Sequence, residues 1–302
     1  LTDTLIYFRE ALGDGRIKAL KRVVIETSGL ADPAPVIQSI IGHPDISQDF
    51  AVDGVVTLVD AVNGLSTLDH HEEARRQAAV ADRLVLTKRR MAGEDKTGLL
   101  LTRLRRLNPL AEIIDGDSER AASSVTLSAG LYDPTTKIAD VSRWLNSQAR
   151  DSHVCDVHCG HDHHHGDDQA AHDHHHHDPS IQSFSIIHDQ PIQPAALSMF
   201  IDLLRSAHGE KLLRMKAVVA LADDLDRPLV LHGVQSVFHA PERLPRWPDP
   251  TDRRTRMVLI TKDLPAEFVR SLFDAFTGTP QIDRPDRQAL EDNPLAIAGV
   301  KF

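Results

Sequence analysis

A chain of 302 residues with 41% hydrophobic content carries enough apolar material for a buried core, and at roughly 100–200 residues per domain two domains are expected. A formal charge of −10 and 4% aromatic content argue against nucleic acid or an anionic membrane as partner, since both call for clustered Lys and Arg and the former for stacking rings. Two cysteines, Cys155 and Cys159, are too few for a secreted disulfide framework, and no apolar run of spanning length or signal peptide is found, so a cytoplasmic setting is expected.

The chain opens at Leu1, not Met, already inside an amphipathic pattern, and is read as lacking its true N-terminus. Leu1, Leu5, Phe8 and Leu12 share a helical face, which Gly13 and Gly15 end. Val23-Val24-Ile25 reads as a short buried parallel strand before Glu26, and Gly29 and Pro33 turn the chain into a loop. A helix from Pro35 to Ile41, a strand from Val52 to Asp60 and a charged helix from His70 to Ala79 follow. Next come a strand from Arg83 to Thr87, a helix from Lys96 to Leu107 and a strand from Ala111 to Ile114. Strands alternating with helices predict an α/β fold with a doubly wound, mostly parallel sheet, whose ligands bind at the carboxyl ends of the strands. Asp60 at such an end reads as a strand-end turn.

Near Arg150 the composition changes. Residues 149–180 are rich in His and Asp with almost nothing to bury, which predicts a disordered linker between a domain at 1–148 and another at 181–278. The second domain reads as a smaller α+β unit: a strand at Phe184–Ile187, a helix at Pro194–Ala207, strands at Leu212–Leu221, Leu229–Phe238 and Arg256–Ile260, and a helix at Pro265–Phe276. His232 and His239, with odd spacing along one predicted strand, are expected on opposite faces and not as a pair. Residues 279–302 read as a tail.

A carboxylate closing a strand, with glycine three residues on, suits a magnesium–phosphate site. The carboxylate holds the metal's shell, and the glycine lets a backbone N–H approach phosphate. The full string Glu26-Thr27-Ser28-Gly29-Leu30-Ala31-Asp32-Pro33 resembles the E-[ST]-[ST]-G-x-A-x-P signature of the CobW group, relatives of the UreG and HypB nickel-insertion GTPases. The likeness continues through Ala81-Asp82-Arg83 and Leu84-Val85-Leu86-Thr87-Lys88, and through Leu107-Asn108-Pro109 with Ala111. It resumes at Leu212-Leu213-Arg214-Met215-Lys216-Ala217 and Leu231-His232-Gly233-Val234-Gln235.

The resemblance implies an incomplete P-loop GTPase domain followed by a docking domain. GTP with Mg²⁺ would be the nucleotide, and Zn²⁺ or Co²⁺, with Ni²⁺ a further option, the cargo passed to a client metalloprotein. Glu26 would serve the magnesium and water network, Gly29 the γ-phosphate, and Thr87 and Lys88 the base. Two departures stand out. No G-x-x-x-x-G-K-[ST] string or C-x-C-C motif occurs in these residues, so hydrolysis cannot be assigned to them alone. Thr87-Lys88-Arg89-Arg90 also puts Arg90 where the family has an aspartate that accepts bonds from guanine, and arginine only donates.

Metal ligands concentrate at His153, Cys155, His158, Cys159, His161, His163, His164, His165, His172, His174, His175, His176 and His177. Imidazole and thiolate suit Zn²⁺, Co²⁺ or Ni²⁺, and the interleaved aspartates lower the charge cost of a cation. With this tract, the resemblance implies a GTP-dependent metallochaperone delivering Zn²⁺ or Co²⁺ to client metalloproteins. The alternatives are a non-enzymatic metal buffer or scaffold with a degenerate nucleotide site, and a cobalt-insertion accessory of cobalamin synthesis.

Overall fold

The structure is a computed structural model that describes residues 1–127 and 180–278. The histidine tract lies outside the described residues.

The first unit is built on a parallel sheet. Helix α1 (Thr2–Gly13) buries Leu5 and Ala11. Helix α2 (Pro33–Ile41) starts where the Asp32 carboxylate accepts from the Ala34 amide, with Pro33 at the first turn. Short α3 (Pro44–Ser47) follows, and Leu5, Ile40 and Ile46 form a small core where these helices meet. Strands β1 (Val56–Asp60), β2 (Arg83–Thr87) and β3 (Glu112–Asp115) pair in that order, all parallel. The crossovers are α4 (Gly64–His70) with α5 (Glu72–Val80), and α6 (Arg89–Ala92) with α7 (Glu94–Leu107). Leu100 and Leu104 of α7 and Ala78 of α5 pack on Leu84, Leu86 and Val59 of the strands. Each buried leucine there is worth about 2 kcal/mol.

The second unit is antiparallel: β4 (Ile181–His188), β5 (Leu212–Leu221), β6 (Asp224–Val234), β7 (Val237–Phe238), β8 (Glu242–Arg243) and β9 (Thr255–Lys262). Their order is β4-β9-β5-β6-β7, with β8 also on β6. Helices α8 (Pro194–His208) and α9 (Ala266–Thr277) cover one face, where Phe200 and Phe273 meet edge-to-face at 5.3 Å. On the other face Val218, Ala220 and Val230 lie under Leu244 and Trp247, while Leu213 and Ile260 pack on Ala79 of α5.

The α/β class with a second α+β unit holds, but three local readings change. The strand expected at Val23–Ile25 does not form: Val24 is 66% exposed and the segment joins no ladder. Backbone polar groups make a strand only where a neighbour pairs them, and every register partner of β1 lies on β2. The helix expected from His70 to Ala79 is two helices, broken at His71, whose backbone is extended. The strand expected from Leu229 to Phe238 turns back at Gln235, which adopts φ +53°. That turn also reverses the expectation for the histidines. His232 and His239 face each other across the hairpin, with the His239 amide donating to the His232 carbonyl and the rings 6.4 Å apart.

Candidate functional site

Because β1 and β2 run parallel with Asp60 opposite Thr87, their carboxyl ends reach one rim together. Asp60 closes β1 as the turn the sequence suggested: its carboxylate accepts from the Val62 amide at 2.8 Å and from Asn63 Nδ2 at 3.2 Å. It also does something the linear reading missed. Lys88 Nζ donates to Asp60 Oδ2 at 2.7 Å, and this bond, against the effect of burial, holds the Asp60 carboxyl below its usual range. Register explains the pairing, since Asp60 ends β1 opposite Thr87 and Lys88 is the first residue past the end of β2. Lys88 sits in the left-handed region (φ 59°, ψ 26°), a conformation that a non-glycine residue keeps only where surrounding contacts hold it. Thr87 Oγ1 donates to the Val59 carbonyl.

The loop after β3 completes the rim. The Gly116 amide donates to the Leu86 carbonyl at 2.7 Å, and a Cβ on Gly116 would stand 2.5 Å from that oxygen, so only glycine fits this close approach. The flanking carboxylates meet the arginines that follow Lys88: Arg89 with Asp115 at 2.8 Å and Arg90 with Asp117 at 3.2 Å. Arg90 thus points its donors at an acid of this chain.

The other predicted residues make different contacts. Glu26 is exposed and closes no sheet strand, because the strand expected before it is absent. Gly29 has no positive φ, and a Cβ there would meet nothing within 4 Å, so neither backbone conformation nor packing demands a glycine. Its loop is tied to α5: Gln77 Nε2 donates to the Gly29 carbonyl at 3.0 Å and to the Ala31 carbonyl at 2.8 Å. Among the described residues no hydrogen bond or ion pair joins Glu26 or Gly29 to Asp60, Thr87 or Lys88. The structure thus ties Thr87 and Lys88 to β1 and ties the Gly29 loop to α5.

Two residues central to the architecture carried weak signals in sequence. Asn108, buried, donates through Nδ2 to the carbonyls of Ala78, Ala79 and Ala81 and accepts at Oδ1 from the Leu110 and Ala111 amides. Asp82, also buried, accepts from the Val55 amide and pairs with Arg214 and with Lys216, the latter at 2.9 Å. Burial opposes its charge, but Arg214 and Lys216 outweigh burial and keep the carboxyl well below the ordinary carboxylate range. A charged residue between Ala81 and a buried strand was the available hint.

No group of three or more His, Cys, Asp or Glu side chains among the described residues is arranged to hold a metal ion, and no helix among them is long and apolar enough to cross a membrane.

Comparison with known proteins covers both units. Residues 3–115 match the model of the CobW/HypB/UreG nucleotide-binding domain, and residues 181–277 match that of the cobalamin synthesis protein cobW C-terminal domain. The zinc chaperone YjiA of Escherichia coli is 28% identical over 274 residues, spanning 90% of this chain and 76% of that protein. The zinc-regulated GTPase metalloprotein activator 1 of Schizosaccharomyces pombe is 27% identical over 169 residues, which is 50% of this chain and only 40% of that protein. The crystal structure of Zn(II)-bound YjiA GTPase superposes with a TM-score of 0.65 at 26% identity, covering 91% of this chain and 76% of the other.

Proposed function

The chain belongs to the CobW/HypB/UreG family, and from that premise we propose that it is a GTP-dependent metallochaperone whose cargo is zinc. The observation that carries the reading is likeness over both units at once, extending to a relative named as a zinc chaperone along 90% of this chain. Delivery to a client metalloprotein through the second unit and a cytoplasmic setting belong to the same reading, with cobalt or nickel as the alternative cargoes.

The residues present suit a magnesium–nucleotide in their chemistry. Glu26 offers an exposed carboxylate, and the open space at Gly29 leaves its backbone accessible to a phosphate. Bound Mg²⁺ would supply charge neutralisation for the phosphates. At the rim, Asp60 holds the Lys88 ammonium, and in this reading the stem of Lys88 would lie along a base. Residues 153–177 would collect the metal through imidazoles and the two thiols. We take 1–148 as the nucleotide unit, 149–180 as the metal-collecting linker, 181–278 as the docking unit and 279–302 as a tail.

One observation favours a second reading, a metal buffer without nucleotide turnover. Arg90 replaces an acceptor with a donor and already pairs with Asp117. Two titrations separate the readings. Zinc binding is measured against a chromophoric chelator, with and without residues 153–177. Binding of a fluorescent GTP analogue with Mg²⁺ is measured on the whole chain, Lys88→Ala and Arg90→Asp. The metallochaperone reading expects zinc stoichiometry to fall on deletion, nucleotide affinity to drop with Lys88→Ala, and guanine preference to rise with Arg90→Asp. Zinc binding with no nucleotide binding in any variant leaves the buffer. Unchanged zinc stoichiometry after the deletion ends the role of the tract. Without a G-x-x-x-x-G-K-[ST] string, phosphate release by these 302 residues alone is expected at background.

A further inference from the structure

We propose that Arg76 and Gln77 of α5 are positioning residues for the Gly29–Asp32 loop, and that Lys262 of the second unit sets how firmly they hold it. The functional meaning rests on reading that loop as phosphate-facing; the coupling stands on contacts alone.

Helix α5 lies between the loop and the second unit. On one side Gln77 takes the carbonyls of Gly29 and Ala31, and Arg76 Nη1 donates to Asp32 Oδ2 at 2.9 Å. The other oxygen of Asp32 caps α2 through the Ala34 amide at 2.9 Å, so Arg76 steadies both the loop's end and the next helix's start. On the other side Arg76 Nε donates to Glu72 Oε1 at 2.9 Å, and that same oxygen accepts from Lys262 Nζ on β9. A second tie runs beside the first, where Gln38 of α2 donates to Gln235 in the β6–β7 turn at 2.7 Å.

One guanidinium is thus shared by two carboxylates, and Lys262 balances one of them. Its hydrogen bond is the largest influence holding the Glu72 carboxyl below the usual range. With Lys262 present, the charge of Glu72 is divided and Arg76 keeps its grip on Asp32. With Lys262 withdrawn, Glu72 turns wholly to Arg76 and draws it from Asp32. The cations of these pairs are partly shielded, with the side chains of Arg76 and Lys262 25% and 19% exposed, while that of Glu72 is 42% exposed, so screening is weaker than at an open surface on the cation side only. A cavity of about 320 Å³ lined by Arg76, Glu210, Lys211, Gln235, Lys262 and Asp263 gives these side chains room to rearrange. Coupling of this kind is reciprocal, so whatever binds the loop also biases the seam.

The test is amide hydrogen exchange on the whole chain without nucleotide, so its outcome is independent of whether GTP binds. The reporters are the Ala31 amide, bonded to the Ser28 carbonyl, and the Ala34 amide, bonded to Asp32. Lys262→Met is expected to speed their exchange about threefold to tenfold, and Lys262→Arg to leave it unchanged. Arg76→Met should do the same as Lys262→Met, and the double variant no more than either alone. Glu72→Gln is expected to slow exchange at both amides, because it removes the competitor for Arg76. General destabilisation cannot slow exchange, so the sign of the Glu72→Gln effect decides the matter even where another variant folds poorly. Faster or unchanged exchange in Glu72→Gln, or a Lys262→Met effect confined to β9, overturns the proposal.

Discussion

The two sheets meet water differently. In the antiparallel unit β5 buries every side chain except Lys216, held between helices on one face and α5 with the Trp247 loop on the other. In the parallel unit β1 is an edge strand that buries only Val59 and leaves Leu58 70% exposed. One sheet is a closed platform. The other leaves most side chains of its first strand only partly covered among the described residues. Side-chain burial is thus uneven between the two halves, and the seam between them carries buried charge.

The seam offers the hardest way to break that division. Asp82→Ala leaves Arg214 buried without its acid and is expected to cost about 3–5 kcal/mol in urea denaturation. A loss below about 1 kcal/mol would show that the units are clamped elsewhere. Asn108→Ala comes next. It strips partners from five backbone groups of the parallel unit and should cost about 2–3 kcal/mol, with exchange protection lost in β3 and the end of α5 while β5 keeps its own. Equal loss in both units would mean that they unfold as one.

The pH dependence sharpens the picture by a smaller amount. Burial lowers the affinity of His239 for a proton, and Asp82 offsets only part of this, so the folded state resists charging the imidazole. As pH falls through 6.5 the unfolded chain takes a proton that the folded chain refuses, and stability declines by at most about 1.4 kcal/mol per pH unit from this group. His239→Asn should flatten that slope in thermal melts recorded between pH 7.5 and 5.5. Asp82 acts in another window. Its depressed carboxyl stabilises fully above pH 3.8 and loses that contribution only as acid titrates the folded form below it. Smallest of all, Arg90→Ala at the open rim should change stability by less than about 1 kcal/mol, since its partner Asp117 and Arg90 itself are well exposed. A larger loss would mark the rim as structural.

Strands whose apolar runs are buried on both sides were legible in sequence. Arg83–Thr87 and Leu212–Leu221 appear with the expected bounds, because sheet burial and local pattern agree there. Val23–Ile25 is likewise apolar and forms no strand, since hydrophobicity cannot say whether a neighbour is present. The His232–His239 pair was hidden by one residue, Gln235, whose left-handed backbone converts sequence distance into a cross-strand contact. Of the candidate site, Thr87 and Lys88 were placed at the strand ends by motif alone. The acid that orients Lys88 needed the register of β1 on β2, and the bonds that hold the Gly29 loop needed the crossover to bring α5 beside it. Such partners are set by topology, which a linear string encodes only indirectly.

Asn108 carries one more consequence, for how the protein ages. Asparagine decays to aspartate when the next residue's backbone nitrogen attacks the side-chain amide, and the loss of that amide here would turn a negative charge toward three carbonyl oxygens. The next residue is Pro109, whose nitrogen carries no hydrogen to give up, so this route to the succinimide is closed. The side chain that knits the parallel unit is thus protected from this form of deamidation.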